Sequence, residues 1–330
     1  MSKIVILGTS HSGKTCYFYG MLRKMMVGIS GFSIRVEDKD FSKIRDAIRR
    51  LGDTKLRPEE GERFPLPSQT TETYKLDLMY NFGLLESFDW DDYPGENIVS
   101  KMSEFAVSMK NAHCLLLCVD GEGIAEAADI YGPDETDDLA ADLTDRWGCF
   151  ELNHALASAS KQNDSFPAVC VMISKYDKIP NAFRNMETMT EMVKKCFPTL
   201  FNDGQGGNSR LVTICPVSLG KDLDKGERLR PVNVEKPICF ATYLIQASKQ
   251  KELQEGYRRQ VQKDRENMEE WENLNALGKI IHHKPQIMSE TEKATMRGLL
   301  QSGERDVTEL RNMITPLPLY MNGKDIEWPD

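Results

Sequence analysis

At 330 residues, 40% hydrophobic and 28% charged, the chain is long enough for one large domain with an appendage or for two modest domains. Its composition is that of a globular protein with a sizeable core. A formal net charge of −9 argues against a non-specific grip on nucleic acid, which depends on Lys and Arg neutralising phosphates, and no dense basic run offsets it. The 8 cysteines form no CxxC pair and several lie inside apolar runs, a reduced and cytoplasmic pattern. No stretch reaches membrane-spanning length, and the opening apolar run is too short for a signal peptide.

In chain order, residues 4–7 form the first of four short, almost unbroken apolar runs; the others are 114–119, 168–173 and 211–217. Runs of this length and β-branched content, bounded by turn or polar residues, read as strands buried on both faces. Helical patterns over 15–26, 98–109, 149–160 and 186–196 alternate with them. Residues 74–80 and 84–88, separated by Asn81-Phe82-Gly83, read as an antiparallel hairpin. Strand–helix alternation with one hairpin predicts a mostly parallel sheet covered by helices.

Three insertions interrupt the scheme. Residues near 28–69 hold an extra strand (32–36), a helix (41–51) and a polar, Pro-containing loop. Residues near 121–146 are acidic and are expected to form a solvated loop. Asp203 to Asn208 reads as a plain turn. From 238 a long helical pattern runs to about 277, charged beyond Ser248 with a thin apolar stripe at Leu253, Tyr257 and Val261. Ser289 with Glu292 makes a capping box for a further helix, and Pro316 and Pro318 end the regular pattern. The expected organisation is a domain over 1–247 and a helical appendage over 248–330.

The most specific motif is Gly8-Thr9-Ser10-His11-Ser12-Gly13-Lys14-Thr15, which fits G-x-x-x-x-G-K-[ST] between a buried strand and a helix. In such a P-loop the backbone N–H groups wrap a β-phosphate and the helix N-terminus faces the same anion. Gly8 and Gly13 permit the turn, Lys14 reaches the β/γ-phosphates, and Thr15 offers a hydroxyl to Mg²⁺.

Three later segments follow the same strand-end logic. Asp92-Tyr93-Pro94-Gly95 supplies an Asp for Mg²⁺ and a Gly N–H for a γ-phosphate. Ser174-Lys175-Tyr176-Asp177 ends another strand. There Asp177 can accept from guanine N1–H and its exocyclic amine, a donor pair that adenine lacks, while the Lys175 stem covers the ring. In Cys215-Pro216-Val217-Ser218-Leu219-Gly220 the Leu219 N–H can meet guanine O6 while Ser218 braces the turn.

In this order the segments resemble the G1, G3, G4 and G5 motifs of the TRAFAC-class, Ras-like P-loop GTPases, over roughly residues 1–247. The resemblance implies an α/β P-loop NTPase fold, a three-layer α/β/α arrangement with a mostly parallel sheet, here with a C-terminal helical extension. It implies GTP/GDP and Mg²⁺ as ligands. The nucleotide-binding positions are then Gly8, Ser10, His11, Ser12, Gly13, Lys14, Thr15, Cys16, Ser174, Lys175, Asp177, Ser218 and Leu219. The family's Mg²⁺-binding, γ-phosphate-sensing Thr falls on Thr71, with Thr70 the near alternative. Thr15, Thr71 and Asp92 become the metal positions, and Lys14, Thr71, Gly95 and Glu96 the catalytic ones. A weaker likeness in layout links the insertion and appendage to bacterial conflict-system (double-GTPase-type) domains.

The chain also departs from the family. Glu96 stands where small GTPases commonly carry Gln, and its charge would approach an already negative phosphate, so slow intrinsic hydrolysis is expected. Ser10 crowds the path of an incoming arginine finger, and His11 replaces the Asn of potassium-stimulated relatives. Ser174 replaces Asn and is expected to forfeit one loop-bracing hydrogen bond. The implied role is a switch with partner-stimulated hydrolysis, an effector or regulator protein meeting the switch segments and the appendage. The competing readings are a non-hydrolysing GTP/GDP-binding interaction module and a P-loop ATPase or kinase.

Overall fold

The computed structural model describes residues 2–95, 102–162, 166–202 and 210–329. Within them the four unbroken apolar runs become β1 (Ser2–Leu7), β5 (Cys114–Asp120), β6 (Ala168–Ser174) and β7 (Leu211–Pro216), with almost every residue buried. Together with β4 (Gly83–Asp92) they run parallel, and the order of the described sheet is β2-β3-β4-β1-β5-β6-β7-β8-β9. On one side of this parallel centre, β3 (Glu72–Tyr80) and β2 (Phe32–Val36) add antiparallel. On the other, β8 (Leu319–Met321) and β9 (Lys324–Asp325) do the same.

The two-residue period of the strands sends apolar side chains to both faces. Val5, Leu117, Val171 and Ile214 join a cluster that includes residues of α3 (Met102–Lys110), α4 (Gly121–Ala128), α5 (Thr136–Arg146), α6 (Cys149–Gln162), α7 (Met186–Cys196) and α8 (Pro198–Phe201). On the opposite face Trp90 of β4 meets Tyr17 and Phe18 of α1 (Lys14–Val27), with ring centroids 6.2 and 5.2 Å apart. Phe18 also stacks on Tyr74 of β3 at 4.8 Å. α2 (Asp38–Gly52) lies against α1. The fold is therefore α/β, three layers deep, with a central parallel sheet between helices.

The hairpin turn is tighter than the sequence suggests. Gly83 already belongs to β4, and the two left-handed positions fall on Asn81 (φ 47) and Phe82 (φ 67). A two-residue turn with both φ values positive matches the strand twist, and the backbone strain at Phe82 is the cost of it.

The acidic segment near 121–146 is not a solvated loop. It forms α4 and α5, with Ile124, Ala127, Leu139 and Leu143 buried. Leu139 and Leu143 are four apart and so share one helix face, while Asp142 faces out and pairs with Arg146 at 2.7 Å. The expected turn from Asp203 to Asn208 lies outside the described residues.

The chain divides differently from the expected 1–247 and 248–330. One unit comprises residues 1–241 and 313–330, the other 242–312. The last residues are not part of a helical appendage, because Leu319 and Tyr320 pair with β7 and bury their side chains. In the second unit, α9 (Lys236–Glu272, whose first turns belong to the first unit), α10 (Ala276–Ile281) and α11 (Glu290–Ile314) form a helical body. Gln250 donates to Leu300 O at 2.6 Å, while Asp264 accepts from Met288 N at 2.8 Å. Partners that fall in number as α9 advances make the two long helices antiparallel. The capping box is present: Ser289 N and Oγ both donate to Glu292, and Glu292 N donates back to Ser289 Oγ at 3.2 Å. Among the described residues no helix is long and apolar enough to cross a membrane.

Candidate functional site

The parallel register brings the C-terminal ends of five strands to one edge of the sheet, where open α/β sheets take ligands. Ile6 is level with Asp92, and Asp120 with Ser174. The loop after β1 is shaped by two glycines. A side chain on Gly8 would lie 2.3 Å from Cys118 O, so only Gly lets β1 and β5 approach so closely. Gly13, at φ 88, turns the chain into α1 in a left-handed conformation that L side chains rarely adopt.

The loop is braced from the neighbouring strands. Ser174 Oγ lies 2.7 Å from Ser12 O and 3.1 Å from Val119 O, so its hydroxyl ties the loop to β5 and β6. Ser12 Oγ donates to Thr9 O at 2.8 Å. Lys14 is buried, its ammonium donating to Gly8 O and Thr9 O at 2.8 Å each. Burial lowers its pKa, opposed by the charges that Cys118 and Asp92 would carry.

Thr15 Oγ1 donates to Asp92 Oδ2 at 3.0 Å and lies 3.4 Å from Ser68 Oγ. Asp92 is buried, and burial pushes its pKa up against the opposing pull of Lys14. Its other oxygen, Oδ1, is buried without a hydrogen-bond partner. A buried carboxylate oxygen left unmatched, beside two hydroxyls, is a donor set that suits a hard divalent cation such as Mg²⁺. Gly95 lies against the phosphate loop: an added Cβ would sit 2.4 Å from Ser10 N. Glu96 lies outside the described residues.

At the other end Asp177 accepts a short hydrogen bond from Ser218 Oγ, which in turn accepts from Gly220 N at 2.9 Å. Lys175, at φ 47, draws its ammonium to Asp120 Oδ2 (2.7 Å) and Glu122 Oε2 (2.9 Å). Lys178 bridges Glu122 and Asp224. Its pKa is raised to about 12, burial opposing and the two carboxylates winning.

Both ends open into a single cavity of about 360 Å³, a size suited to a small ligand. Ser10, His11, Gly13, Lys14, Thr15 and Cys16 line one part of it, and Ser174, Lys175, Asp177, Ser218 and Leu219 the other, with Gly95 also in the lining. Gly8, Ser12 and Asp92 support this wall from behind. Thr71 is the exception: it is exposed, precedes β3 and does not line the cavity, and Thr70 is exposed as well. The hydroxyl that reaches Thr15 belongs to Ser68.

Sequence reasoning missed a wall of this cavity. Glu60, Phe64, Pro65, Leu66, Pro67 and Ser68 line it, all from the polar, Pro-containing part of the first insertion. Glu60 Oε1 lies 3.0 Å from His11 Nδ1, both side chains being largely exposed. The signal was weak because such a loop has no periodicity to read.

Fold and site together define an α/β protein with a cavity at the strand ends, lined in part by the glycine-bounded loop between β1 and α1. No family profile matches the chain, and no curated protein matches it. Among solved structures, one that matches is described as an ADP-ribosylation-factor-like GTP-binding protein, the small COPII coat GTPase SAR1 from Encephalitozoon cuniculi, in complex with GDP. The TM-score is 0.38 and the identity 11%, over 76% of this chain and 82% of that one.

Proposed function

We propose that the chain is a guanine-nucleotide-binding switch of Ras-like type that hydrolyses GTP slowly. The observation that carries this reading is a single one: the phosphate loop and the Asp177–Ser218 pair line the same cavity. A ligand held there has an anionic end against backbone N–H groups and Lys14, and a ring whose donors meet Asp177. Guanine nucleotides combine both features, and ATP lacks the donor pair for the carboxylate.

With nucleotide bound, Lys14 would turn from its two carbonyl acceptors to phosphate oxygens, and Thr15 and Asp92 are the residues that would hold the cation. Mg²⁺ supplies neutralisation of the phosphate charge. Ser68, not Thr71, is the hydroxyl nearest that cluster, and we assign it the metal- and phosphate-sensing position. The Gly95 N–H is the group offered to a γ-phosphate. The following Glu96 would repel the same phosphate, hence hydrolysis that depends on a partner or effector protein. The helical unit over 242–312 is the natural carrier of the signal.

Titration of the full chain with fluorescent mant-GDP, with and without Mg²⁺ and with ATP as competitor, tests the reading directly. Tight, Mg²⁺-sensitive binding that ATP fails to displace is expected, with slow phosphate release from GTP. Lys14→Ala is expected to abolish tight triphosphate binding. Equal competition by ATP would point to the ATPase or kinase alternative.

A further inference from the structure

Arg63 is the least expected residue in the fold. It sits in the polar insertion loop, yet it is only 1% exposed, among the largest fully buried side chains of the protein. Its guanidinium bonds to backbone carbonyls on two separate elements. Nε donates to Leu51 O at 3.1 Å, in the last turn of α2, where the carbonyl end of the helix favours a cation. Nη1 donates to Leu223 O at 3.0 Å and Nη2 to Glu227 O at 2.5 Å, both in the loop that follows β7.

These anchor points bear on the cavity. Residues on both sides of Arg63, from Glu60 to Ser68, form one of its walls, and Leu223 with Asp224 belongs to another. The strip 60–68 begins at the phosphate loop through Glu60 and His11 and ends at Thr15 through Ser68. Between these ends it is held to the base-side loop by the Arg63 side chain. Losing the guanidinium would leave three carbonyls without their donors and release two walls together.

We propose that residues 60–68 form a strap across the nucleotide cavity and that Arg63 is its latch, setting the rate of nucleotide exchange. The proposal rests on the nucleotide reading above. Arg63 acts here as a positioning residue, through the two walls it ties, and its bonds must break for either wall to swing clear.

A strap obstructs entry as well as exit, and this separates it from simple damage to the site. In stopped-flow measurements with mant-GDP, Arg63→Lys and Arg63→Met are expected to raise the dissociation rate at least tenfold and to raise the association rate with it. Kd should therefore change less than either rate. Lysine keeps the charge but does not span three carbonyls. Dissociation within twofold of wild type in a folded variant would overturn the proposal, as would a faster dissociation with no gain in association.

Hydrogen–deuterium exchange on the wild-type chain provides a test if neither variant folds. Peptides covering 60–68 and 221–227 should gain protection together when GDP is added, and should exchange at a common rate without it. Protection confined to one of the two would also overturn the latch. Absence of mant-GDP binding by the wild-type chain would instead remove the nucleotide reading itself, and the strap with it.

Discussion

Replacing Asp177 by Asn isolates base recognition from everything else in the cavity. The Ser218 hydroxyl donates to Asp177 Oδ1, and Asn keeps an oxygen for that bond, so the turn holding Leu219 and Gly220 stays in place. What changes is the second atom, from an acceptor to an N–H₂ donor facing the two donors of guanine. Hydrogen bonds to a charged group contribute about 1.5–3 kcal/mol each. Two of them give roughly 3–6 kcal/mol, and the half-buried position of Asp177 favours the lower end through solvent screening. At 1.4 kcal/mol per decade, GDP affinity should fall about 100-fold. Xanthine carries an oxygen where guanine carries its amine, so XDP should gain as GDP loses. Competition of GDP, XDP and ADP against mant-GDP measures all three. A GDP Kd within threefold of wild type would remove Asp177 from base recognition and with it the main argument for GTP over ATP.

The cation cluster yields a pair of opposed expectations: Ser68→Ala should lower Mg²⁺-dependent affinity for a non-hydrolysable GTP analogue about tenfold, and Thr71→Ala by less than twofold, with the reverse order restoring Thr71. Asp92→Asn should raise the Tm of the nucleotide-free protein while abolishing the Mg²⁺ dependence of binding. The sign follows from linkage. The folded-state pKa of Asp92 is raised, chiefly by burial, so ionisation costs stability from its ordinary value of 3.8 up to the raised value, and the full penalty stands above that. A pH–stability profile of wild type minus variant that is flat across this window would refute the burial argument. Gly95→Ala should leave GDP affinity nearly intact and lower that for the GTP analogue at least tenfold, because its Cβ would lie 2.4 Å from Ser10 N. An unchanged GTP-to-GDP preference would show that this segment does not sense the γ-phosphate.

What was legible in the sequence was local. The buried strands announce themselves as unbroken apolar runs, and the phosphate loop has glycines whose spacing is dictated by a backbone wrapping an anion. Asp92 and Asp177 stand out by strand-end logic, the first ending the second strand of the hairpin and the second following a buried apolar run. The missed features depend on contacts between residues far apart in the chain. Arg63 reaches Leu223 across 160 positions, and nothing near it in sequence marks it as buried. Thr71, with Thr70 beside it, stands out in the sequence because strand-start threonines match the family pattern, whereas the inward turn of Ser68 depends on how 60–68 folds onto the cavity. In α5 the acidic residues hid a spacing, Leu139 to Leu143, that defines a buried face. β8 is three residues long, too short for alternation to be seen at all.

That short strand has a consequence for the order in which the protein is made. β7 belongs to the parallel centre of the sheet, yet its outer neighbour comes from residues 319–321, after the whole helical unit of 242–312. During synthesis the backbone groups along that side of β7 wait unpaired while residues 217–318 emerge, the kind of bare rim on which strands of other chains add. A nascent chain stalled within the helical unit would carry a nearly finished α/β domain with an adhesive side, which the strands within 319–325 later seal.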